Sequence, residues 1–574
     1  MDKTIKDDIV EHAHKLLGDN FEFRPGQLDA IEHIINNTLS DTKHTVLEAP
    51  TGSGKSMVAL VAAYMLWKVY RYKSYILVSD LSLFDQYAND IKKLNDKCFG
   101  YVKGKENYVC QANGCKVSQA TCSLQNISAR SMMRGDDDFS CAHFCQYVKE
   151  YNKAVNSPIT LMTYQLYFIQ RNYVEDGLFR GKNLNFPKRD LVICDEAHKI
   201  CDICQAHFAP RISIERPHWM STIDSYTHQM PYENVRIDIL GKIELSKDND
   251  ELFDAMNEYA AYVDSYCSAN IGIRRTLAHK QHLTKRDKAA LAAGNMARQE
   301  HCKLEDMSMF IKEIGSTECL VKTTLGNDIT INFVYDNLML KKYFHAKSNC
   351  ELLMSATIGD FNEYAKLTGL DEHLMETIQM PSTFDFSKSP IYVSQNNKMS
   401  AYEKDMSLKV IAKQVIDICQ KHQNERGIIQ TGSYDNSIKL RQALPSSILE
   451  RCVSYDSNVE KKIALDAYMS KLNGILIGPT LIEGLNFPDN MCRFQICIKV
   501  PYAYLGSEYV KKKMKLIDGW YEYDVLNKIH QGIGRGVRHK DDWCETYILD
   551  GCIMNLFNKL EDIPTLSHRF KLYE

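Results

Sequence analysis

The run Glu48-Ala49-Pro50-Thr51-Gly52-Ser53-Gly54-Lys55-Ser56 constrains this chain more than any other stretch. A strand-like segment, Thr45–Ala49, enters a glycine-rich turn, and a long apolar helix leaves it from Met57. Glycines let backbone N–H groups curl around phosphate oxygens, and the helix start adds partial positive charge. In such a loop Pro50, Thr51, Gly52, Ser53 and Gly54 wrap the phosphates. Lys55 reaches the β- and γ-phosphates, and the Ser56 hydroxyl holds Mg²⁺. Ala49 stands where the first glycine of the pattern is usual.

The loop alone would also serve a passive nucleotide switch. Two further motifs argue for hydrolysis. The apolar run Leu191-Val192-Ile193-Cys194 reads as a buried parallel strand that delivers Asp195-Glu196-Ala197-His198 at its carboxyl end. Asp195 is placed to bind the Mg²⁺ ion, and Glu196 to orient or deprotonate the attacking water. Near the C-terminus comes Gln531-Gly532-Ile533-Gly534-Arg535-Gly536-Val537-Arg538. Arg535 and Arg538, three residues apart on one helical face, suit stabilisation of a transferring γ-phosphoryl group, a task worth roughly 10³–10⁵ in rate. Together the three motifs predict an ATP-hydrolysing motor.

A chain of 574 residues with 44% hydrophobic content can bury several cores. Its net charge of −3 means that any nucleic acid must sit in a local basic groove. Candidates are Lys511-Lys512-Lys513 with Lys515, and Arg274-Arg275 with Lys280, Lys285 and Arg286. Tyr502, Tyr504, Tyr509, Trp520, Tyr521 and Tyr523 lie close to the first cluster and could stack on bases or simply fill a core. Met1–Asn20 is polar and does not read as a signal peptide, and the run Met57–Trp67 is too short to cross a bilayer. A cytoplasmic protein with no membrane partner is expected (in the host cytoplasm if the chain is viral), with its 19 cysteines reduced.

Five of those cysteines, Cys110, Cys115, Cys122, Cys141 and Cys145, crowd into 36 residues. In a reducing compartment such crowding argues for metal, and the spacing leaves iron–sulfur and zinc both open. The pair Cys201 and Cys204 has no partner pair and reads as helix-packing thiols.

Lys103-Gly104-Lys105-Glu106-Asn107-Tyr108-Val109-Cys110 resembles the segment that opens the iron–sulfur domain of XPD/DinG-type superfamily 2 helicases. Cys145-Gln146-Tyr147 and Ile159–Tyr164 resemble the segment that closes it. Arg24-Pro25-Gly26-Gln27 is similar to the adenine-side motif, which implies that Gln27 contacts the base. Leu353-Met354-Ser355-Ala356-Thr357 resembles the segment coupling hydrolysis to nucleic acid, with His198 as its relay partner. Pro381–Phe386, Glu483-Gly484-Leu485-Asn486, and Gln531 with Gly534, Arg535 and Arg538 resemble the motifs of the second motor domain. Asn486 departs from the family's Asp. The resemblance implies that Cys110 opens the ligand set of a 4Fe–4S cluster and Cys145 closes it. Cys141 and Cys122 complete the set, with Cys115 as the alternative to Cys122.

Strand candidates Tyr75–Val78, Leu191–Cys194 and Leu352–Met354 alternate with helices in the first half. Gly427–Gln430, Gly474–Ile477, Gln495–Val500 and Thr546–Leu549 do so in the second. The expected fold is α/β, with two RecA-like doubly wound parallel sheets facing each other across one ATP. Motor domain 1 spans 1–104, 151–204 and 336–375, interrupted by a cluster domain at 105–150 and a helical arch at 205–335. Motor domain 2 spans 376–574. Within the arch, Glu251–Cys267 and Arg286–Ile314 read as helices, and a hairpin turns at Gly326-Asn327-Asp328. The short arch resembles compact phage or bacterial DinG-like members, and the few residues before Arg24 leave no room for a fused nuclease. The resemblance implies an ATP-dependent DNA helicase, a monomer moving 5′→3′ on single-stranded DNA and opening duplex junctions, with ATP, Mg²⁺ and the cluster as cofactors. An RNA strand in a hybrid is compatible with the residues. The alternatives are a translocase that displaces proteins without unwinding and a nucleotide-gated single-strand binder.

Overall fold

The computed structural model describes residues 4–573 apart from 125–139, 174–185, 229–232, 279, 281–282, 383–384, 401, 456–457, 480–486, 488, 534–541 and 564–565. The first half opens with β1 (His44–Glu48), β2 (Ser74–Val78), β3 (Phe99–Tyr101), β4 (Ile159–Thr163) and β5 (Leu191–Asp195). Every residue of β1, β2, β4 and β5 is buried, as a parallel sheet covered on both faces requires. Helix Lys55–Tyr70, apolar all round, is buried without a break from Val58 to Leu66 against that sheet.

An insertion follows. It contains β6 (Arg211–Ser213), four helices and the hairpin β7 (Leu320–Leu325) and β8 (Asp328–Phe333). The helices are His218–Thr227, Glu233–Leu245, Asn249–Leu277 and Lys285–Ile314. Asp248 and Thr284 cap the first turns of the last two, Thr284 in a reciprocal box with Asp287, which sets their starts close to those expected. Lys285–Ile314 ends where expected, and Asn249–Leu277 runs ten residues past the expected Cys267. The hairpin is where the sequence puts it. The pairing of β6 with β8, closing a three-stranded antiparallel sheet at the insertion's root, was not foreseen, because Arg211–Ser213 is too short to show a period.

The chain then returns through β9 (Cys350–Ser355) and β10 (Met375–Gln379) to complete a seven-stranded parallel sheet, ordered β10-β1-β9-β5-β2-β4-β3. A second parallel seven-stranded sheet is made by β11 (Ile391–Val393), β12 (Gly427–Gln430), β13 (Cys452–Ser454), β14 (Ile475–Gly478), β15 (Phe494–Cys497), β16 (Glu545–Ile548) and β17 (Phe570–Leu572). Its order is β13-β14-β12-β15-β16-β11-β17. These are two RecA-like domains, with Glu233–Leu245 and Asn249–Leu277 forming a helical arch. Register sets the site. Glu48 lies opposite Ser355 and Met354 opposite Asp195, so β1, β9 and β5 end side by side at one carboxyl edge. Among the described residues no helix is long and apolar enough to cross a membrane.

Candidate functional site

The phosphate loop leaves β1 without strain at Ala49, whose N–H continues the ladder to the Ser355 carbonyl at 2.9 Å. Left-handed backbone is needed only at Gly52 and Gly54, with φ of 81° and 84°. Gly54 is required twice over, since a Cβ there would come within 2.4 Å of Gln27 Nε2. Gln27 itself is buried behind the loop. Its Oε1 accepts from Arg24 N–H at 2.9 Å, and its Nε2 donates to the Ser53 carbonyl at 2.8 Å.

Lys55 begins the helix and points at the end of β5. Its Nζ lies 2.9 Å from Glu196 Oε1 and 3.3 Å from Asp195 Oδ1, and the three side chains are 12%, 29% and 1% exposed. Burial works against the Lys55 ammonium, but the two carboxylates outweigh it and hold the lysine above its ordinary range. Burial would likewise raise Glu196, yet Lys55 and His198 bring it down to about 2. Asp195, deeper still, is pushed up by burial. Glu196 adopts φ 54° and ψ 44°, a left-handed conformation uncommon for a residue with a side chain. That turn is what separates the paired carboxylates, with the Glu196 N–H donating to Asp195 Oδ1 at 2.8 Å.

Tyrosines fix this turn, and of the three only Tyr164 lies in a stretch that the sequence singles out. Tyr87 donates its hydroxyl to Asp195 Oδ2 at 2.8 Å, Tyr164 to the Asp195 carbonyl at 3.0 Å, and Tyr364 to the Ala197 carbonyl at 3.0 Å. They come from three separate helices, so only the tertiary fold assembles them. His198 Nδ1 lies 2.7 Å from Ser355 Oγ, which brings together the two segments expected to form a relay.

A cavity of about 580 Å³ opens between the two sheets. The first domain lines it with Arg24, Pro50, Thr51, Gly52, Gly54, Lys55, Ser56, Asp195, Glu196 and His198. Gln531, His530 and Arg569 line it from the second. Arg569 belongs to no motif. Its guanidinium binds the Ser389 carbonyl and hydroxyl at 2.9 and 2.8 Å, and burial lowers it to about 10. Arg535, Arg538 and Asn486 lie outside the described residues.

The five clustered cysteines sit between β3 and β4. Val109 and Lys116 bridge across a tight turn in which Cys110 N–H donates to the Cys115 carbonyl at 2.7 Å. Cys122 lies on the short helix Thr121–Leu124. Cys145 caps helix Gln146–Asn156, its N–H donating to the Cys141 carbonyl at 3.0 Å. Cys110, Val117, Ala120, Leu124 and Tyr147 share one apolar cluster, against which Cys115, Cys122 and Cys145 pack. Burial raises the Cys115, Cys122 and Cys141 thiols. Cys110 adds to all three, Cys141 also feels Cys145, and Cys122 feels Cys141. Cys201 and Cys204 pack on helix Ile200–Phe208.

Of the lysine run expected to form a basic groove, Lys512 and Lys513 are engaged inside the protein, whereas Lys511 and Lys515 stay exposed. Lys513 is buried against Asp336 at 2.5 Å and covers the Trp520 ring, Lys512 donates to the Leu320 carbonyl, and Lys511 pairs with Glu508. Tyr502 stacks on Tyr521, and Tyr523 bonds the Ile358 carbonyl. These three rings are engaged in packing, whereas Tyr504 is 79% exposed. Arg274 of the second cluster is also engaged, donating to the Leu124 carbonyl at 3.0 Å beneath the cysteines.

The Helicase C-terminal domain family matches residues 415–560, and the family described as Type III restriction enzyme, res subunit, matches residues 20–207. The Probable ATP-dependent helicase MJ0942 of Methanocaldococcus jannaschii is 20% identical over 604 residues, covering 90% of each chain. The solved structure titled XPD_Helicase covers 96% of this chain and 100% of its own at 16% identity, with a TM-score of 0.60. The chain is similar to ATP-dependent helicases along most of its length, and its fold is that of the XPD helicases. The ATP-dependent DNA helicase chl-1 of Caenorhabditis elegans is 27% identical over 139 residues, 23% of this chain and 16% of that one. S. tokodaii Xpd4 shares the fold of this chain at 15% identity, covering 96% of this chain and 99% of that one, with a TM-score of 0.56.

Proposed function

We propose that this XPD/CHL1-like chain hydrolyses ATP to move 5′→3′ along single-stranded DNA and open duplex junctions as a monomer. RNA is accepted where it forms part of a hybrid. The observation that carries the reading is Lys55 held between Asp195 and Glu196 in a cleft that also receives Gln531 from the second domain. A relative matched along most of the chain is named a probable ATP-dependent helicase, and one matched over a short stretch an ATP-dependent DNA helicase. The polarity rests on the resemblance to XPD/DinG-type proteins.

In this mechanism Lys55 exchanges its carboxylates for the β- and γ-phosphate oxygens, and Gln27 steadies the loop beside the adenine. Ser56 and Asp195 would hold Mg²⁺, which supplies charge neutralisation of the phosphates when bound. As Lys55 turns away, Glu196 loses the partner that depresses it and becomes the better proton acceptor for the attacking water. Arg535 and Arg538, with Gln531, approach from the second domain to stabilise the γ-phosphoryl charge. Cys110, Cys122, Cys141 and Cys145 would supply the four thiolates of a 4Fe–4S cluster, with Cys115 as the alternative to Cys122; all but Cys141 lie on one apolar floor. The cluster would be structural and lie at the strand-separation site, where residues 105–150 wedge the duplex open.

Phosphate release stimulated by single-stranded DNA tests the motor. Glu196→Gln is expected to abolish stimulated turnover, about 100-fold or more, while ATP-dependent DNA binding persists. Equal turnover in the variant would leave a different base. Protein purified without oxygen should carry about four irons per chain and lose them in Cys145→Ala. Zinc in their place would remove the cluster and, with it, the polarity.

A further inference from the structure

Glu48, the last residue of β1, is buried and does not face the phosphate loop it precedes. Its Oε2 accepts the backbone N–H groups of Ile358 and Gly359 at 2.7 and 2.8 Å, and its Oε1 accepts from Gln379 Nε2 at 3.3 Å. From the other side, the Tyr523 hydroxyl of the second domain donates to the Ile358 carbonyl at 2.7 Å. The Ile358 carbonyl and the Gly359 N–H belong to one peptide group. A single peptide is therefore held at its nitrogen by the first domain and at its oxygen by the second. Gly359 has φ +76°, and a Cβ there would approach Asn527 Oδ1 to 2.9 Å. Glycine at this position lets the second domain's helix lie directly on the peptide.

Both ends of this grip lead to the nucleotide cleft. Two residues before Ile358 lies Ala356 and, just before it, Ser355, whose Oγ meets His198 Nδ1 at 2.7 Å. Tyr523 and Asn527 ride on helix Trp520–Ile533, and Gln531 follows Tyr523 by about 12 Å of helix rise. We propose that Glu48 and Tyr523 are a positioning pair that clamps the Ile358–Gly359 peptide and couples the phosphate-loop strand to the second domain. The inference rests on the ATP-driven reading above. It adds that domain closure is registered through this one peptide, because a displacement of either domain must break one of its hydrogen bonds or carry the other domain along.

Tyr523→Phe deletes one hydroxyl and Glu48→Leu deletes the acceptor, whereas Glu48→Gln keeps an oxygen able to accept both N–H groups. Tyr523→Phe is expected to lower DNA-stimulated turnover about fivefold, the size of one neutral hydrogen bond, and Glu48→Leu, which removes the acceptor of three, by at least as much. DNA-free turnover and the KM for ATP stay unchanged in Tyr523→Phe, and Glu48→Gln keeps the stimulation. The double variant should be no worse than the poorer single one, as expected of residues acting through one element. Hydrogen exchange at residues 357–360 should quicken in Tyr523→Phe and Glu48→Leu but not in Glu48→Gln. Full stimulation in Tyr523→Phe, losses that multiply in the double variant, or unchanged exchange would each overturn the clamp. A wild-type chain without stimulated turnover would sink the functional reading instead, and the exchange measurement would still decide the clamp.

Discussion

Lys55, Asp195 and Glu196 were legible in the sequence because a short phosphate-binding pattern and an acidic pair at a strand end carry their chemistry in adjacent residues. Tyr87 and Tyr364 were not legible, and Tyr164, although it ends a recognisable segment, showed no sign of this role. A tyrosine contributes to this site only through where its helix lies, and the chain has 32 of them. Tyr87 is the one that touches the carboxylate proposed to hold Mg²⁺. Removing its hydroxyl leaves Asp195 Oδ2 free to rotate. Tyr87→Phe is therefore expected to raise the Mg²⁺ concentration for half-maximal turnover about fivefold, with no change in melting temperature. Magnesium titration of the hydrolysis rate reads this directly, and an unshifted midpoint would relieve Tyr87 of any such role.

At the scale of elements, the strands were readable as apolar runs and the arch helices as runs with three-to-four spacing. The cross-links between elements were not. The opposite edge of the first sheet has such a link in Glu351 of β9, which is fully buried. Its Oε2 meets His345 Nδ1 at 2.7 Å and His44 Nδ1 of β1 at 3.0 Å, its Oε1 accepts from the Ser348 hydroxyl, and His345 Nε2 lies 2.9 Å from the Thr368 carbonyl. Burial alone would raise this carboxyl, but the two histidines outweigh it and hold it well below the usual carboxylate range. A folded-state value below the unfolded one means the contribution is present above about pH 4.3 and is lost as pH falls further. The melting temperature should accordingly drop steeply between about pH 5 and 3. Glu351→Gln should cost about 3–5 kcal/mol at neutral pH and flatten that dependence, measured by thermal melts across the range.

At the scale of the whole molecule, the two domains are tied at a point away from the nucleotide. Lys513 of the second domain inserts beside the root of the insertion to meet Asp336, both about 4% exposed, at 2.5 Å. Burial opposes the ammonium, and Asp336 more than offsets it. Lys513→Ala would strand Asp336 without its partner and is expected to destabilise the chain by about 3–5 kcal/mol in denaturant titrations. Replacing both, Lys513→Met with Asp336→Leu, should recover most of the loss. Equal instability in single and double variants would mean that packing, not charge, joins the domains there.

The sequence by itself determined the fuel, the α/β class, the order of the motifs and the crowding of five cysteines. Each of these is written in neighbouring residues or in short periods. The tertiary structure shows that Lys513 of the lysine run is a tie to Asp336, a partner 177 residues away that no local pattern records. It alone put Arg569 in the cleft, three tyrosines around the acidic turn and one peptide between Glu48 and Tyr523. Burial and hydrogen bonding act through space, and a linear pattern records them only when the partners are close in the chain.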